Sequence, residues 1–179
     1  MKPYPHHYTA SASARATDGV MIAAPHLPAI RTAAPPEFDG PGDVWSPETL
    51  LCAAVADCFI LSFRAIARAA HFEWVSLECG VEGVLEHIGD TTQFTRFVTA
   101  ARLTIPPEGD TGKARRLLSR AEHGCLVANS LRGERTLSAE IMTAGDIATP
   151  QGSPAESTGG DVTVHATSQG RHTVERQLP

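Results

Sequence analysis

The side chains best suited to covalent chemistry in this sequence are its four cysteines, Cys52, Cys58, Cys79 and Cys125. A cysteine works through its thiolate, as a nucleophile or as a site of reversible oxidation, and its reactivity follows its local pKa and exposure. Spacing begins to sort the four. Cys52 and Cys58 fall in a stretch with helical character, where six residues span about 9 Å at 1.5 Å per residue, beyond the separation a disulfide tolerates. They cannot pair within one helix. Cys79 stands on the apolar side of an alternating segment, where a free cysteine behaves as a small hydrophobe, and Cys52 reads the same way. Cys58 and Cys125 differ, because each falls on a helix whose apolar face needs a partner. Residues 121–129 (AEHGCLVAN) also bring His123 and Asn129 near Cys125. There is no C-x-x-C pair for zinc or dithiol redox chemistry, and four cysteines are too few for a disulfide scaffold. No phosphate-cradling glycine loop and no G-x-S-x-G elbow occurs, so no cofactor or metal is expected; His6 and His7 lack an acidic or thiol partner.

These residues need elements to position them. Residues 8–15 alternate small and polar, Asp18-Gly19 signals a turn and residues 20–23 continue as a strand, which predicts a β-hairpin. Four prolines and two glycines in residues 33–47 make a loop. Ser46 can cap the helix that follows and Pro47 suits its first position. That helix, 47–70, is apolar nearly all round as far as Phe63, which predicts burial on most sides. Residues 74–85 alternate as a strand, Gly89-Asp90 turns, and residues 93–105 return antiparallel. A second, amphipathic helix starts at Asp110 or Thr111, with Leu117, Leu118, Ala121 and Cys125 on one face and Lys113, Arg116 and Arg120 facing away. A last strand covers 135–141. The reading is an α+β domain over residues 1–142 and a flexible tail over 143–179, where large apolar residues become sparse.

Length and charge exclude several function classes. At 179 residues and 19.0 kDa, with 42% apolar and 20% charged residues, the chain has the composition of a globular protein with one core. A formal charge of −5 argues against nucleic-acid or anionic-membrane partners. The apolar run of the first helix contains Asp57 and stops short of about 20 residues, so it is not expected to span a bilayer. The N-terminus has no apolar h-region, which makes the cytoplasm the expected compartment.

The pattern SPETLLCAAVADCF (46–59), with Glu48 ten residues before Cys58, and AEHGCLVANS (121–130) around Cys125 together resemble the family of osmotically inducible protein C and organic hydroperoxide resistance proteins (OsmC/Ohr). The resemblance covers residues 8–141 and includes the element order. It implies an OsmC-like fold, an antiparallel β-sheet packed on a long buried central helix and a second amphipathic helix in an intertwined homodimer, and a cysteine-based peroxidase that reduces organic hydroperoxides. In that reading Cys58 is the peroxidatic thiol and Cys125 the resolving one. An external dithiol is the reductant, a lipoyl group in the organic hydroperoxide resistance branch of the family.

In the family an arginine from the N-terminal β region activates the thiol and is held by the glutamate that matches Glu48. Arg15 is the better candidate here and Arg31 the alternative, a needed cation since Cys58 sits mid-helix beside Asp57. Ten residues of helix put Glu48 about 15 Å from Cys58 along the axis, so a second subunit is needed to bring a Glu48 to it. Otherwise Glu48 is simply a first-turn carboxylate favoured by the helix dipole. Trp45, Phe38, Phe59 and Phe63 can line an apolar mouth for an alkyl or aryl peroxide, and Asn129 matches a family position beside the substrate. Family members often carry Pro and an aromatic residue after the second cysteine; here Leu126 and Val127 follow, which makes the surroundings of Cys125 more apolar. The rival reading keeps the fold but not the catalysis: a dimeric redox sensor or apolar-ligand-binding protein.

Overall fold

The computed structural model describes residues 3–145. Three short strands, β1 (Ser11–Ser13), β2 (Val20–Ala23) and β3 (Ile30–Thr32), form an N-terminal antiparallel sheet, with Ser11 opposite Ala23 and Val20 opposite Thr32. The hairpin expected around Asp18-Gly19 is present. The third strand is an addition that three residues between proline-rich stretches did not signal. A 3-10 turn over Pro36–Phe38 and a parallel bridge between Thr32 and Trp45 organise the loop that follows.

The loop delivers the chain to α1 (Pro47–Ala69) through a capping box. The Ser46 hydroxyl accepts from the Thr49 backbone N–H at 3.2 Å, and the Thr49 hydroxyl accepts from the Ser46 N–H at 2.9 Å. Pro47 occupies the first turn, where its missing N–H costs nothing. At 23 residues α1 is longer than its uncharged run suggested and has the length and apolar composition of a bilayer span. Its stripe Val55, Phe59, Phe63 and Ala67 is nevertheless packed inside the protein. Burial on most sides is not what this chain provides: one stripe is enclosed, whereas Ala54 is exposed and Leu61 is 50% exposed on another face.

The main sheet is built from β4 (Ser76–Ile88), β5 (Thr91–Ile105) and β6 (Glu134–Thr143) in that order. β4 and β5 form an antiparallel hairpin turned at Gly89, whose φ of 60° suits glycine, with a register shift between Val84 and Leu85. β6 runs parallel to β5, so the expectation of an antiparallel sheet holds for only one of its two pairings. The reason is the crossover: α2 (Thr111–Gly124) carries the chain back along the sheet before β6 starts, as parallel neighbours require. β6 also extends through Thr143, one residue into the stretch assigned to the tail, and residues 146–179 lie outside the described part.

α1 and α2 pack on one face of this sheet. Phe59, Phe63 and Ala67 meet Ala101, Leu103 and Ile105 of β5 and Ala114, Leu117, Leu118 and Ala121 of α2. Phe63 stands edge-on to Trp74, with ring centroids 5.5 Å apart. Asp110 caps α2 by accepting from the Lys113 N–H at 2.8 Å. Lys113 does not simply face away: its ammonium reaches the Ala70 carbonyl at the end of α1, at 3.0 Å, and lies over the Phe72 ring.

Candidate active site

The expected position of Cys125 on the second helix needs correction. α2 ends at Gly124, and Cys125 sits in an extended kink (φ −69°, ψ 108°) before the four-residue α3 (Leu126–Asn129). Glycine's weak helix propensity marks the break. The kink turns the Cys125 thiol inward, 1% exposed, where it lies 3.8 Å from the Val55 carbonyl of α1. Cys58, one turn further along α1, packs into the same small apolar group of Val55, Cys125 and Ala128, with Val81, Val127 and Leu131 around it. All four cysteines are free thiols.

The electrostatics of Cys125 follow from its burial. Desolvation pushes the Cys125 thiol up to about 11; the Ala128 backbone N–H works against this, the neighbouring Cys58 raises it further by hydrogen bonding and charge, and the Val127 N–H opposes. Cys79 is also pushed up to about 11, by desolvation and then by the nearby Cys125. Cys52 is raised by burial, partly offset by a hydrogen bond from the Gly83 backbone. A Cβ on Gly83 would stand 2.9 Å from the Cys52 sulfur and 2.8 Å from the Phe94 ring, so only glycine allows α1 to approach β4 this closely. Cys52 and Cys79 thus occupy partly buried packing positions, with Cys79 against the main core.

Glu48 is half-buried at the start of α1, and one of its carboxylate oxygens is enclosed without a hydrogen-bond partner among the described residues. It lines two clefts. One, of about 280 Å³, includes Phe38, Cys52, Leu85 and Phe94; the other, of about 560 Å³, opens toward Ala12, Val20, Ile22 and Thr32 of the N-terminal sheet. Arg15, in the turn between β1 and β2, and Arg31, on β3 with its side chain over Gly19, are both exposed. Within this chain Cys58 packs against the apolar group of Val55, Cys125 and Ala128. Asp57 is exposed.

The aromatic residues divide. Phe59 and Phe63 are 1% and 0% exposed and fill the core, so neither lines an open mouth as expected; they lie on the α1 stripe that the sheet and α2 cover. Trp45 is half-exposed and Phe38 is exposed at the Glu48 clefts. Leu126 points to solvent, so of the two residues after Cys125 only Val127 makes its surroundings apolar.

Asn129 is engaged structurally. Its amide N–H donates to the His123 carbonyl at 3.0 Å, closing the free end of α2, and its carbonyl accepts from Arg135 at 2.6 Å. His123 donates from Nδ1 to the Ser119 carbonyl at 2.8 Å, a bond within the end of α2. Glu122 and Arg135 form a mostly buried ion pair at 3.5 Å beside Cys125, and sequence reasoning missed both. The only signal was the EHGC stretch, whose glutamate reads as a solvated helix residue until β6 is placed against it.

A buried and a partly buried free thiol side by side between a long helix and a kinked second helix, on a two-sheet α+β frame, define a class of small thiol-bearing proteins. Residues 40–140 match the family model described as OsmC-like protein, and the chain belongs to that family. A curated relative, the uncharacterised protein YmaD of Bacillus subtilis (strain 168), is 24% identical over 117 residues, covering 63% of this chain and 78% of YmaD. An OsmC-like protein of unknown function from Vibrio cholerae superposes with a TM-score of 0.69 at 18% identity, over 77% of this chain and 100% of that one. An organic hydroperoxide resistance protein OsmC from Legionella pneumophila gives 0.64 at 20% identity, over 78% and 99%. These likenesses establish the fold.

Proposed function

We propose that the protein is a cysteine-based peroxidase for organic hydroperoxides, working as a homodimer. The observation that carries this reading is the packing of Cys58 against Cys125, two free thiols from separate elements that share one small apolar group, with Cys58 helping to raise the Cys125 pKa. The Cys58 thiolate attacks the distal oxygen of the hydroperoxide, the O–O bond breaks and the alcohol leaves after taking up a proton, so Cys58 becomes a sulfenic acid. Cys125 then attacks the Cys58 sulfur; its proton and the sulfenic hydroxyl leave together as water and the disulfide forms. An external dithiol, a lipoyl group being one such reductant, reduces the disulfide and is itself oxidised.

Assembly supplies what one chain lacks. The enclosed, unpartnered oxygen of Glu48 calls for a cation, and the exposed Arg15 is the first candidate, Arg31 the second. Cys58 borders the uncovered apolar side of α1 near Ala54 and Leu61, which a second copy would cover. Trp45 and Phe38, both exposed, would then lie where an alkyl or aryl peroxide enters. The raised pKa of Cys125 favours one other reading, a sensor that oxidises once and resolves slowly.

The test is mass spectrometry after one equivalent of cumene hydroperoxide, followed by steady-state assay with a dithiol. A Cys58–Cys125 crosslink with multiple turnovers is expected. A single stoichiometric oxidation without turnover selects the sensor, and an unreacted Cys58 overturns both.

A further inference from the structure

Cys125 is tied by its backbone to both helices, its N–H donating to the Glu122 carbonyl of α2 at 3.3 Å and its carbonyl accepting from the Asn129 N–H of α3 at 2.9 Å. Its own backbone is extended between them, so the angle between the two helices, and with it the direction of the thiol, also depends on side chains that brace the break. One side chain from β6 touches both sides. Arg135 places Nε 3.5 Å from a Glu122 carboxylate oxygen in the last turn of α2, and its Nη1 donates to the Asn129 side-chain carbonyl at the end of α3 at 2.6 Å. Asn129 returns to the His123 carbonyl, and His123 Nδ1 is 3.2 Å from the other Glu122 oxygen, which closes a ring of contacts around the kink. The Glu122 side chain is only 14% exposed and that of Arg135 28%. Both line the small cavity of about 10 Å³ that also touches Cys125, Val55 and Phe59. A guanidinium suits this place because its planar fork bonds two acceptors in fixed directions, which an ammonium cannot do.

We propose that Arg135 is the positioning residue for Cys125, holding the α2–α3 kink so that the thiol faces Cys58. Its effect on disulfide formation rests on the peroxidase reading; its effect on the placement of Cys125 does not. The first experiment therefore avoids the reaction. In a Cys58→Ser background, iodoacetamide labelling of each remaining cysteine is followed by peptide mass spectrometry. Arg135→Ala is expected to raise Cys125 labelling about tenfold with Cys52 and Cys79 unchanged, Asn129→Ala to raise it less, and Arg135→Lys to restore part of the protection. Unchanged Cys125 labelling overturns the proposal, and so does an equal rise at all three thiols, which reports general loosening. Should Arg135→Ala fail to fold, the Asn129→Ala and Arg135→Lys variants carry the same comparison.

The second experiment uses the chain with both cysteines and cumene hydroperoxide. Arg135→Ala is expected to form the Cys58 sulfenate at the parent rate and the disulfide about tenfold more slowly; disulfide formation at the parent rate overturns the positioning role. If the parent itself forms no disulfide, the peroxidase reading fails, while the labelling comparison still decides whether Arg135 places Cys125.

Discussion

Cys125 is the one fully buried thiol of the four, and its pKa near 11 leaves about one molecule in 10⁴ as thiolate at pH 7. If that thiolate attacks the Cys58 sulfenate, disulfide formation should accelerate about tenfold per pH unit between pH 7 and 9. Stopped-flow measurement with a rate flat over that window would rule out the thiolate as attacker. Cys58→Ser should abolish turnover, and Cys125→Ser should leave a sulfenate that over-oxidises with excess peroxide. The same shifts predict a stability trend. Cys125 and Cys79 are raised from 9.0 to about 11, so their contribution is complete below pH 9 and is lost as pH rises through about 11. Thermal midpoints should fall more steeply across pH 9–11 in the parent than in a Cys79→Ala/Cys125→Ala variant. The four thiols were legible in the sequence because the capacity for thiol chemistry belongs to the residue type; the neighbours that tune it were not, since Arg135 and Glu122 meet only across β6 and α2.

α1 owes its start to local chemistry that can be tested alone. Removing the Ser46 hydroxyl leaves the Thr49 N–H without its cap, and Ser46→Ala should cost about 1 kcal/mol in urea unfolding. Gly83→Ala tests the contact between α1 and β4, where an added methyl meets the Cys52 sulfur and the Phe94 ring; a loss of about 1–3 kcal/mol is expected, and no loss would mean the helix can shift at no cost. The starts of α1 and α2, the N-terminal hairpin and the β4–β5 hairpin were readable, because caps, turn residues and alternation act over a few neighbours, whereas the break of α2 before Cys125 was not. The short β3 and the parallel β6 were not, since a strand's partner is chosen by a crossover rather than by its own residues.

At the scale of the molecule, apolar surface remains uncovered on α1 and on the N-terminal sheet, where Leu61, Met21 and Ile30 are exposed. A second copy covering these faces predicts that Leu61→Glu shifts the protein from dimer to monomer in sedimentation and removes any dependence of the thermal midpoint on protein concentration. A parent that sediments as a monomer at all concentrations would refute the dimer.

The sequence by itself determined the kinds of element and the α+β class, because periodicity, caps and turn residues are properties of short stretches. Tertiary structure alone decided that Phe59 and Phe63 belong to the core, that Cys125 occupies a kink and that Arg135 spans it. Each of these depends on which surface packs against a segment distant in the chain, and burial, unlike helix formation, is settled only when that segment arrives.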